Sequence, residues 1–284
     1  MGAPLLSVRG VSKSFGEVHA LQEVSLEFTR GDVVGLVGSN GAGKTTLLRL
    51  LCGLYRPTVG EVVHHATDGS EHAVDSVRQN LGVVPESTGL YHRLTAWENI
   101  RYHSRLSGVS DSHAWNRTVR LARALDIEDA LHRSTRGFSR GMRQKTALLR
   151  ALAHDPDLLL LDEPTASLDP DTAVWVRGYL SEYQRRTGAT ILLASHNMTE
   201  VERLCSDVLI MKTGRLVDRG TPQQLIVRYG RKSLEEVFLD IARADPDGGR
   251  RSAAQQEGHM APGPPSPARA PAPAPAPRTV RHHG

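Results

Sequence analysis

A glycine-rich segment near the N-terminus has the spacing of a phosphate-binding loop. Residues 38–45 read Gly-Ser-Asn-Gly-Ala-Gly-Lys-Thr, which matches the pattern GxxxxGK[ST]. The segment follows an apolar run at residues 33–37 and precedes apolar residues at helical spacing from 45 to 52. In this strand, loop and helix context, backbone N–H groups and the helix N-terminus can surround phosphate oxygens. We therefore expect a nucleotide phosphate group to be bound by Gly38, Ser39, Asn40, Gly41, Ala42, Gly43, Lys44, Thr45 and Thr46.

Four side chains add the chemistry that backbone groups lack. The ammonium of Lys44 can reach the terminal phosphates, and the hydroxyl of Thr45 is a ligand for Mg²⁺. A second apolar run, residues 158–161, ends in Asp162 and Glu163, which a parallel sheet places beside the phosphate loop. We expect Asp162 to hold Mg²⁺ and Glu163, ionised at neutral pH, to polarise an attacking water. The alternative is that the two carboxylates cap a helix after a core strand.

A sheet must position these residues. Short apolar runs alternate with helical stretches along the chain, and this pattern predicts an α/β fold with a mainly parallel sheet covered by helices. The runs lie at residues 33–37, 81–84, 158–161, 191–194 and 208–211. Strand-like segments at residues 5–8 and 24–28, with a turn region at 15–17, predict an antiparallel β lead-in.

A polar stretch, residues 89–154, interrupts the alternation with helix signals and little strand signal. Thr95 and Glu98 have the spacing of a capping box, and Asp155-Pro156 predicts the end of the last helix. We expect a helical subdomain inserted into a domain of residues 1–243. Residues 244–284 are rich in Pro and Ala and are expected to be a disordered tail, with a partner-docking tail as the alternative.

Composition argues against several other classes of protein. No run approaches the ~20 apolar residues of a membrane-spanning helix, and the N-terminus lacks the apolar core of a signal peptide. We therefore expect the protein to lie in the cytoplasm or on a membrane face. The net charge is +4. Five arginines and three acids fall after residue 244, so the remainder carries about +2, without the basic stripe of a nucleic-acid binder. Cys52 and Cys205 lack CxxC spacing and are expected to be buried thiols.

The motifs and their order resemble the ATP-binding-cassette (ABC) transporter ATPases over roughly residues 5–240. The segment from Phe138 to Gln144 is similar to the family signature, LeuSerGlyGlyGln in most members, of which Ser139 and Gly141 are retained. Ser139 can cap a helix whose N-terminus points at an anion, and Gly141 permits close backbone approach; an ordinary capped helix is the alternative. The resemblance implies a P-loop NTPase core, ATP and Mg²⁺ as cofactors, and hydrolysis of ATP.

The resemblance also assigns roles to residues outside these motifs. Residues 167–169 correspond to a loop that touches the opposing subunit, and His196 corresponds to a histidine that contacts the γ-phosphate and positions Glu163. Phe15 corresponds to the aromatic residue that stacks on adenine, with a buried structural phenylalanine as the alternative. Glu86 stands where most members have a glutamine that reaches Mg²⁺, so it keeps an oxygen ligand and loses the amide donor.

Two kinds of partner follow from the family. In the family, the signature of one cassette completes the phosphate site of another, which implies a dimer. A homodimer is the main expectation and a heterodimer is the alternative. In that dimer, Ser139 would act in catalysis beside Lys44, Glu163 and His196. A separate transmembrane permease would hold the dimer on the cytoplasmic face of the membrane. Residues 89–94, the signature variant and residues 233–239 are similar to the ABC-2-type exporters of drugs, sodium or polysaccharides. Tyr91 and Trp97 are expected either to dock on the permease or to pack in the core.

Two other function classes stay open on the sequence alone. One is a soluble cassette that acts as an ATP-driven clamp on nucleic acid or ribosomes, but the chain has no long heptad insert, no second cassette and no basic stripe. The other is a regulatory module that closes on ATP and scarcely hydrolyses it. Glu163 argues against that reading.

Overall fold

The computed structural model describes residues 3–243; the Pro/Ala-rich segment predicted to be a disordered tail lies outside them. The described residues form ten strands and eight α-helices. The strands are β1 (Pro4–Phe15), β2 (Val18–Thr29), β3 (Val33–Gly38), β4 (Val59–His65), β5 (Glu71–Ala73), β6 (Leu81–Val84), β7 (Leu158–Asp162), β8 (Thr190–Ala194), β9 (Asp207–Lys212) and β10 (Arg215–Gly220). The helices are α1 (Lys44–Leu51), α2 (Ala96–Leu106), α3 (Asp111–Ala124), α4 (Arg140–Leu152), α5 (Pro170–Thr187), α6 (Met198–Leu204), α7 (Pro222–Tyr229) and α8 (Leu234–Arg243).

The central sheet has six strands in the order β10-β9-β3-β8-β7-β6. All its pairs are parallel except β9 with β10, which confirms the predicted mainly parallel sheet. The leucine run of β7 shows why such strands are apolar throughout: Leu159 and Leu161 join the core on one face, and Leu158 and Leu160 join the core on the other. Because β8 lies between β3 and β7, the phosphate loop and the two carboxylates leave the sheet at the same edge.

The predicted antiparallel lead-in is a second sheet of four strands in the order β2-β1-β4-β5. Strands β1 and β2 each span 12 residues, longer than the sequence indicated. Their inward side chains share one hydrophobic core with α1 and with one face of the central sheet. That packing anchors the helix that follows the phosphate loop.

Between residues 89 and 154 the chain forms α2, α3 and α4, and among the described residues there the only β pairing is an isolated bridge of Thr95 with Ser134. The predicted capping box is present, since the Thr95 hydroxyl accepts from the backbone N–H of Glu98 and the Glu98 carboxylate accepts from that of Thr95. The last helix ends at Leu152, earlier than Asp155-Pro156 predicted. Asp155 lies beyond the helix in a left-handed conformation, with φ of 54°.

In the range 3–243, no helix combines the length and the apolar character needed to cross a membrane.

Candidate functional site

The phosphate loop requires glycine at both of its ends. A Cβ atom on Gly38 would lie 2.5 Å from the carbonyl oxygen of Met211 in β9. Gly43, with φ of 99°, precedes α1, and a Cβ there would lie 2.7 Å from the carbonyl oxygen of Ala20 in β2. Strands from both sheets therefore press against the loop, and only glycine leaves room for them.

Lys44 starts α1 and is directed back into the loop. Its ammonium donates to the carbonyl oxygens of Gly38 at 2.6 Å and Ser39 at 3.2 Å. Burial lowers the pKa of Lys44, and the charges of Glu163, Asp162 and Glu86 act in the opposite direction. The lysine thus carries a buried positive charge at the centre of the predicted phosphate site.

Thr45, Glu86 and Asp162 line one cavity of about 170 Å³, so the structure brings the three predicted metal ligands together. The Thr45 hydroxyl donates to Asp162 Oδ2 at 3.0 Å. Burial raises the pKa of Asp162, and the nearby Glu86 raises it further. Three hard oxygen donors with crowded negative charge suit Mg²⁺, which takes few protein ligands and completes its shell with water and phosphate. Within residues 3–243, no group of three or more His, Cys, Asp or Glu side chains is placed to hold a metal on its own.

Glu163 follows β7 in a strained backbone conformation. Its φ is 52°, and its backbone N–H donates to the carbonyl oxygen of Ala194 at 2.9 Å. The side-chain Oε1 is buried and makes no hydrogen bond to any described residue. Burial first, and the charge of Asp162 second, raise the pKa of Glu163 to about 7. Burial therefore favours the protonated carboxyl group in the protein without a bound cation, and the ionised state of Glu163 at neutral pH stays a prediction.

His196 lies beside Glu163. Its Nε2 atom is 3.4 Å from Glu163 Oε1, and its side chain is 51% exposed. Burial, followed by the positive charge of Lys44, lowers the pKa of His196. The lowered pKa favours the neutral imidazole, so a hydrogen bond describes its contact with the carboxyl group better than an ion pair does.

The signature residues form the start of α4. The Ser139 hydroxyl accepts from the backbone N–H of Met142 at 3.1 Å, so Ser139 is the predicted cap. A Cβ on Gly141 would lie 3.3 Å from the carbonyl oxygen of Ser167, which places the loop of residues 167–169 against this helix. No hydrogen bond joins Ser139 to the phosphate loop in the described part of the chain.

Gln144, the last residue of the segment similar to the family signature, connects α4 to the loop that follows β7. Its amide nitrogen donates to the carbonyl oxygen of Pro164 at 3.0 Å. Pro164 directly follows Glu163, so the signature helix supports the backbone that carries this carboxylate.

Phe15 is exposed, so the alternative of a buried structural phenylalanine is wrong. It packs edge-to-face on Tyr55 with ring centroids 5.3 Å apart, and the Lys13 ammonium lies 5.0 Å from its ring centre. Sequence reasoning missed Tyr55 and Lys13, because neither belongs to a motif. Tyr55 and Lys13 are half-buried, so the three side chains form a partly exposed aromatic surface with a positive charge.

The structure separates the two aromatic residues proposed for docking. Tyr91 is 51% exposed and packs edge-to-face on Tyr102, which is 46% exposed. Tyr102 belongs to no sequence motif, so the sequence did not indicate it as part of this surface. Trp97 packs instead against the main core and contacts Trp115, with ring centroids 4.8 Å apart. Core packing is therefore the role of Trp97, and an exposed surface remains at Tyr91 and Tyr102.

Comparison with known proteins gives one consistent family. The ABC transporter family model matches residues 21–166. The chain is 39% identical over 223 residues to the ABC transporter ATP-binding protein NatA of Bacillus subtilis, covering 78% of this chain and 90% of that protein. It is 37% identical to the Nod factor export ATP-binding protein I of Cupriavidus pinatubonensis, covering 83% of this chain and 72% of that protein. It is 34% identical to the methionine import ATP-binding protein MetN of Lactobacillus delbrueckii, covering 82% of this chain and 66% of that protein.

Among solved structures, one titled as the ATP binding subunit of an ABC transporter superposes with a TM-score of 0.77 at 29% identity, covering 84% of this chain and all of that one. This agreement confirms the α/β cassette fold. The family match also spans the phosphate loop, Asp162 at the end of β7 and Glu163 after it. The chain therefore belongs to the ABC transporter family, as an ATP-binding subunit whose activity is that of an ATPase.

Proposed function

We propose that this chain hydrolyses ATP to power a separate membrane permease, with Glu163 and His196 activating the water that attacks the γ-phosphate. The observation that carries this proposal is the buried Oε1 atom of Glu163, which has no hydrogen-bond partner among the described residues and lies 3.4 Å from His196 Nε2. An unsatisfied buried acceptor costs about 1–3 kcal/mol. Such a cost is typical of a group that is kept ready for a reaction partner.

The protonation states of this pair suit the water step. A general base works best when its pKa lies near the operating pH, and the pKa of Glu163 is about 7. The lowered pKa of His196 favours the neutral ring, which can donate one hydrogen bond and accept another. We propose that Glu163 takes the proton of the attacking water while His196 holds that water or the γ-phosphate in line.

The phosphate loop supplies binding. The backbone N–H groups of residues 38–46 would surround the β- and γ-phosphates, and Lys44 would exchange its carbonyl partners for phosphate oxygens. Phe15, together with the half-buried Tyr55 and Lys13, offers a partly exposed aromatic surface for the adenine ring.

We propose that Thr45, Asp162 and Glu86 hold Mg²⁺, since they share one cavity and present only oxygen donors. Mg²⁺ bound there would neutralise charge on the phosphate oxygens. Asp162 and Thr45 are already joined by a hydrogen bond, which sets the orientation of both donors. Glu86 is exposed, so it can approach or leave this cluster more easily than the other two.

We propose that the chain acts as a homodimer. Ser139 caps the N-terminus of α4, where a helix favours anions, yet no hydrogen bond joins it to the phosphate loop of its own chain within residues 3–243. In a dimer, Ser139 of the second copy would contact the γ-phosphate held by Lys44. The loop of residues 167–169 would lie at the same interface, because Ser167 already packs on Gly141.

The permease would dock on the helical stretch of residues 89–154, which we propose acts as a subdomain that transmits dimer closure. A groove of about 630 Å³ runs between β6, the edge strand of the central sheet, and the helices α2 and α4. Arg150 lines it, is 6% exposed and donates to the carbonyl oxygen of Gly89, but it forms no ion pair within residues 3–243. Burial lowers the pKa of Arg150 to about 10. A permease segment with a carboxylate would complement this charge, and Tyr91 and Tyr102 extend the surface.

We propose that transport is export of a drug, ion or glycan, with the chain peripheral on the cytoplasmic face. The Nod factor export relative and the similarity to ABC-2-type exporters support this direction. The methionine import relative favours import as the second candidate. Transport into or out of oriented vesicles distinguishes the two directions.

The proposal is tested by measuring phosphate release from MgATP. The full chain is assayed with and without membranes that contain the permease. We expect turnover that rises when the permease is present and recovery of the chain with those membranes. ATP binding without phosphate release would favour a regulatory module, and salt-sensitive recovery with ribosomes or DNA would favour a soluble clamp.

A further inference from the structure

Helix α6 carries a buried carboxylate, Glu200, to which the steps described above give no role. The side chain is 2% exposed. Its Oε1 atom accepts from the Thr165 hydroxyl at 2.8 Å, and its Oε2 atom accepts from the Ser195 hydroxyl at 2.8 Å. Both hydrogen bonds are buried, so they are shielded from competition with water.

The two hydroxyls belong to the two loops that carry the proposed catalytic pair. Thr165 lies two residues after Glu163 in the loop that follows β7, and Ser195 directly precedes His196 in the loop that follows β8. The last backbone hydrogen bond between these loops runs from Glu163 to the carbonyl oxygen of Ala194. Beyond it, the described residues show no backbone bond from one loop to the other. Past the edge of the sheet, the Glu163 carboxylate accepts from the backbone N–H of His196, and Glu200 adds a second, fully buried link that binds both loops.

We propose that Glu200 is a positioning residue that sets the separation between the Glu163 carboxylate and the His196 ring. This inference rests on the proposed function, because it takes those two groups as the ones that activate water. A displacement of about 1 Å in a catalytic constellation can cost up to about 10²-fold in rate. One carboxylate that binds both loops resists such a displacement more directly than two separate contacts would.

The surroundings of Glu200 make this link rigid. The Ser195 hydroxyl also accepts from the backbone N–H of Asn197 at 3.1 Å, and the Asn197 side chain accepts from the backbone N–H of Glu200 at 3.1 Å. Arg177 Nη1 lies 3.9 Å from Glu200 Oε1 and balances part of the buried charge. The loop around His196, the start of α6 and the loop around Glu163 are therefore tied into one unit.

A positioning role and a purely structural role give different kinetics. A structural residue, when changed, lowers the melting temperature and the fraction of folded protein, and kcat per folded molecule stays the same. A positioning residue lowers kcat and leaves the KM for ATP nearly unchanged, because Glu200 contacts neither the phosphate loop nor the adenine surface. The amounts of folded protein and of bound ATP must therefore be measured beside turnover.

The experiment compares Glu200→Ala, Glu200→Gln and Glu202→Gln in the full chain. We expect Glu200→Ala to lower kcat roughly 10- to 100-fold with KM within about twofold of the wild type. Glu200→Gln keeps the size of the side chain and can bind both hydroxyls, one as acceptor and one as donor, so it should recover most of the lost kcat. Glu202 lies on the same helix but accepts from the backbone N–H of Leu234, so Glu202→Gln should leave kcat unchanged.

Two further variants keep the test decisive if Glu200→Ala does not fold. Thr165→Val and Ser195→Ala each remove one hydroxyl from Glu200, and each should lower kcat at constant KM. Wild-type kcat per folded molecule in these variants, or a rise in KM that accounts for the whole loss, would overturn the proposal. Glu163→Gln is assayed in parallel. If this variant keeps wild-type turnover, the assignment of Glu163 as the base is wrong. If it is inactive while Glu200→Ala is fully active, only the positioning role of Glu200 is rejected.

Discussion

Thr45 and Asp162 are 117 positions apart in the sequence, and the hydroxyl of one donates to the carboxylate of the other at 3.0 Å. The contact exists because β3 and β7, on either side of β8, end at the same edge of the sheet. It brings the start of α1 and the end of β7 together. Any cation bound there would contact both residues at once.

Asp162→Asn should remove the dependence of nucleotide binding on Mg²⁺. The amide oxygen can still accept from Thr45, but the negative charge that attracts the cation is lost. ATP affinity measured without Mg²⁺ should match the wild type, and the gain on adding Mg²⁺ should disappear. Asp129→Asn, at an exposed position away from the cavity, is the control. An unchanged Mg²⁺ response would place the metal elsewhere.

Lys44→Ala should reduce hydrolysis by at least about 10²-fold, because no other buried cation in the described loop can replace its charge at the terminal phosphates. Phosphate release at saturating MgATP measures the loss. Lys232→Ala removes a lysine from an exposed position and should leave the rate unchanged. A rate for Lys44→Ala within tenfold of the wild type contradicts the assignment of the phosphate loop.

Glu163→Gln should preserve ATP binding and slow the water step by roughly 10²- to 10⁴-fold, because an amide cannot take a proton. The variant should accumulate as a closed dimer in MgATP and not in ADP, as measured by gel filtration with each nucleotide. Glu235→Gln, exposed on α8, is the matched control. If the variant stays monomeric with ATP and still turns over, Glu163 is not the base.

Tyr91→Ala and Trp97→Ala should have different effects, since one residue is exposed and the other packs in the core. Tyr91→Ala should reduce recovery of the chain with permease-containing membranes at an unchanged melting temperature. Trp97→Ala should lower the free energy of unfolding by about 2–4 kcal/mol through the cavity it leaves. Sedimentation with membranes and thermal unfolding, both measured on both variants, check this. Equal losses of membrane recovery in the two variants would contradict the assignment of docking to Tyr91 and of core packing to Trp97.

His103 should make the protein less stable in mild acid. Burial, followed by the charges of Arg150 and His154, lowers the pKa of His103 from 6.5 to about 4. Below pH 6.5 the unfolded chain therefore binds a proton that the folded chain does not, so stability falls as the pH drops through this window. The residue should account for about 1–2 kcal/mol of the loss between pH 7 and pH 5, allowing for its partial exposure.

Denaturant unfolding of His103→Gln at both pH values measures this contribution. The variant should lose less stability on acidification than the wild type. His92→Gln, at an exposed position, should behave like the wild type. An identical pH response of His103→Gln and the wild type would contradict the lowered pKa of His103.

The sequence was enough to predict the phosphate loop, the strand that ends at Asp162 with Glu163 directly after it, and the cap at Ser139. Each is a local pattern, in which residue type and covalent spacing are enough to specify a turn, a buried strand or a helix start. The alternation of apolar runs and helices likewise determined the parallel sheet, because apolar strands must be covered on both faces.

Burial and long-range partners were decided only by the tertiary structure. The charge state of Glu163 depends on how deeply its carboxyl group is buried beside Asp162, and no local pattern specifies that depth. The same holds for Tyr91 and Trp97, which are aromatic residues of one segment, although Tyr91 is exposed and Trp97 packs against the core. Glu200 is the clearest case: its partners, Thr165 and Ser195, meet only because β7 and β8 are neighbours in the folded sheet.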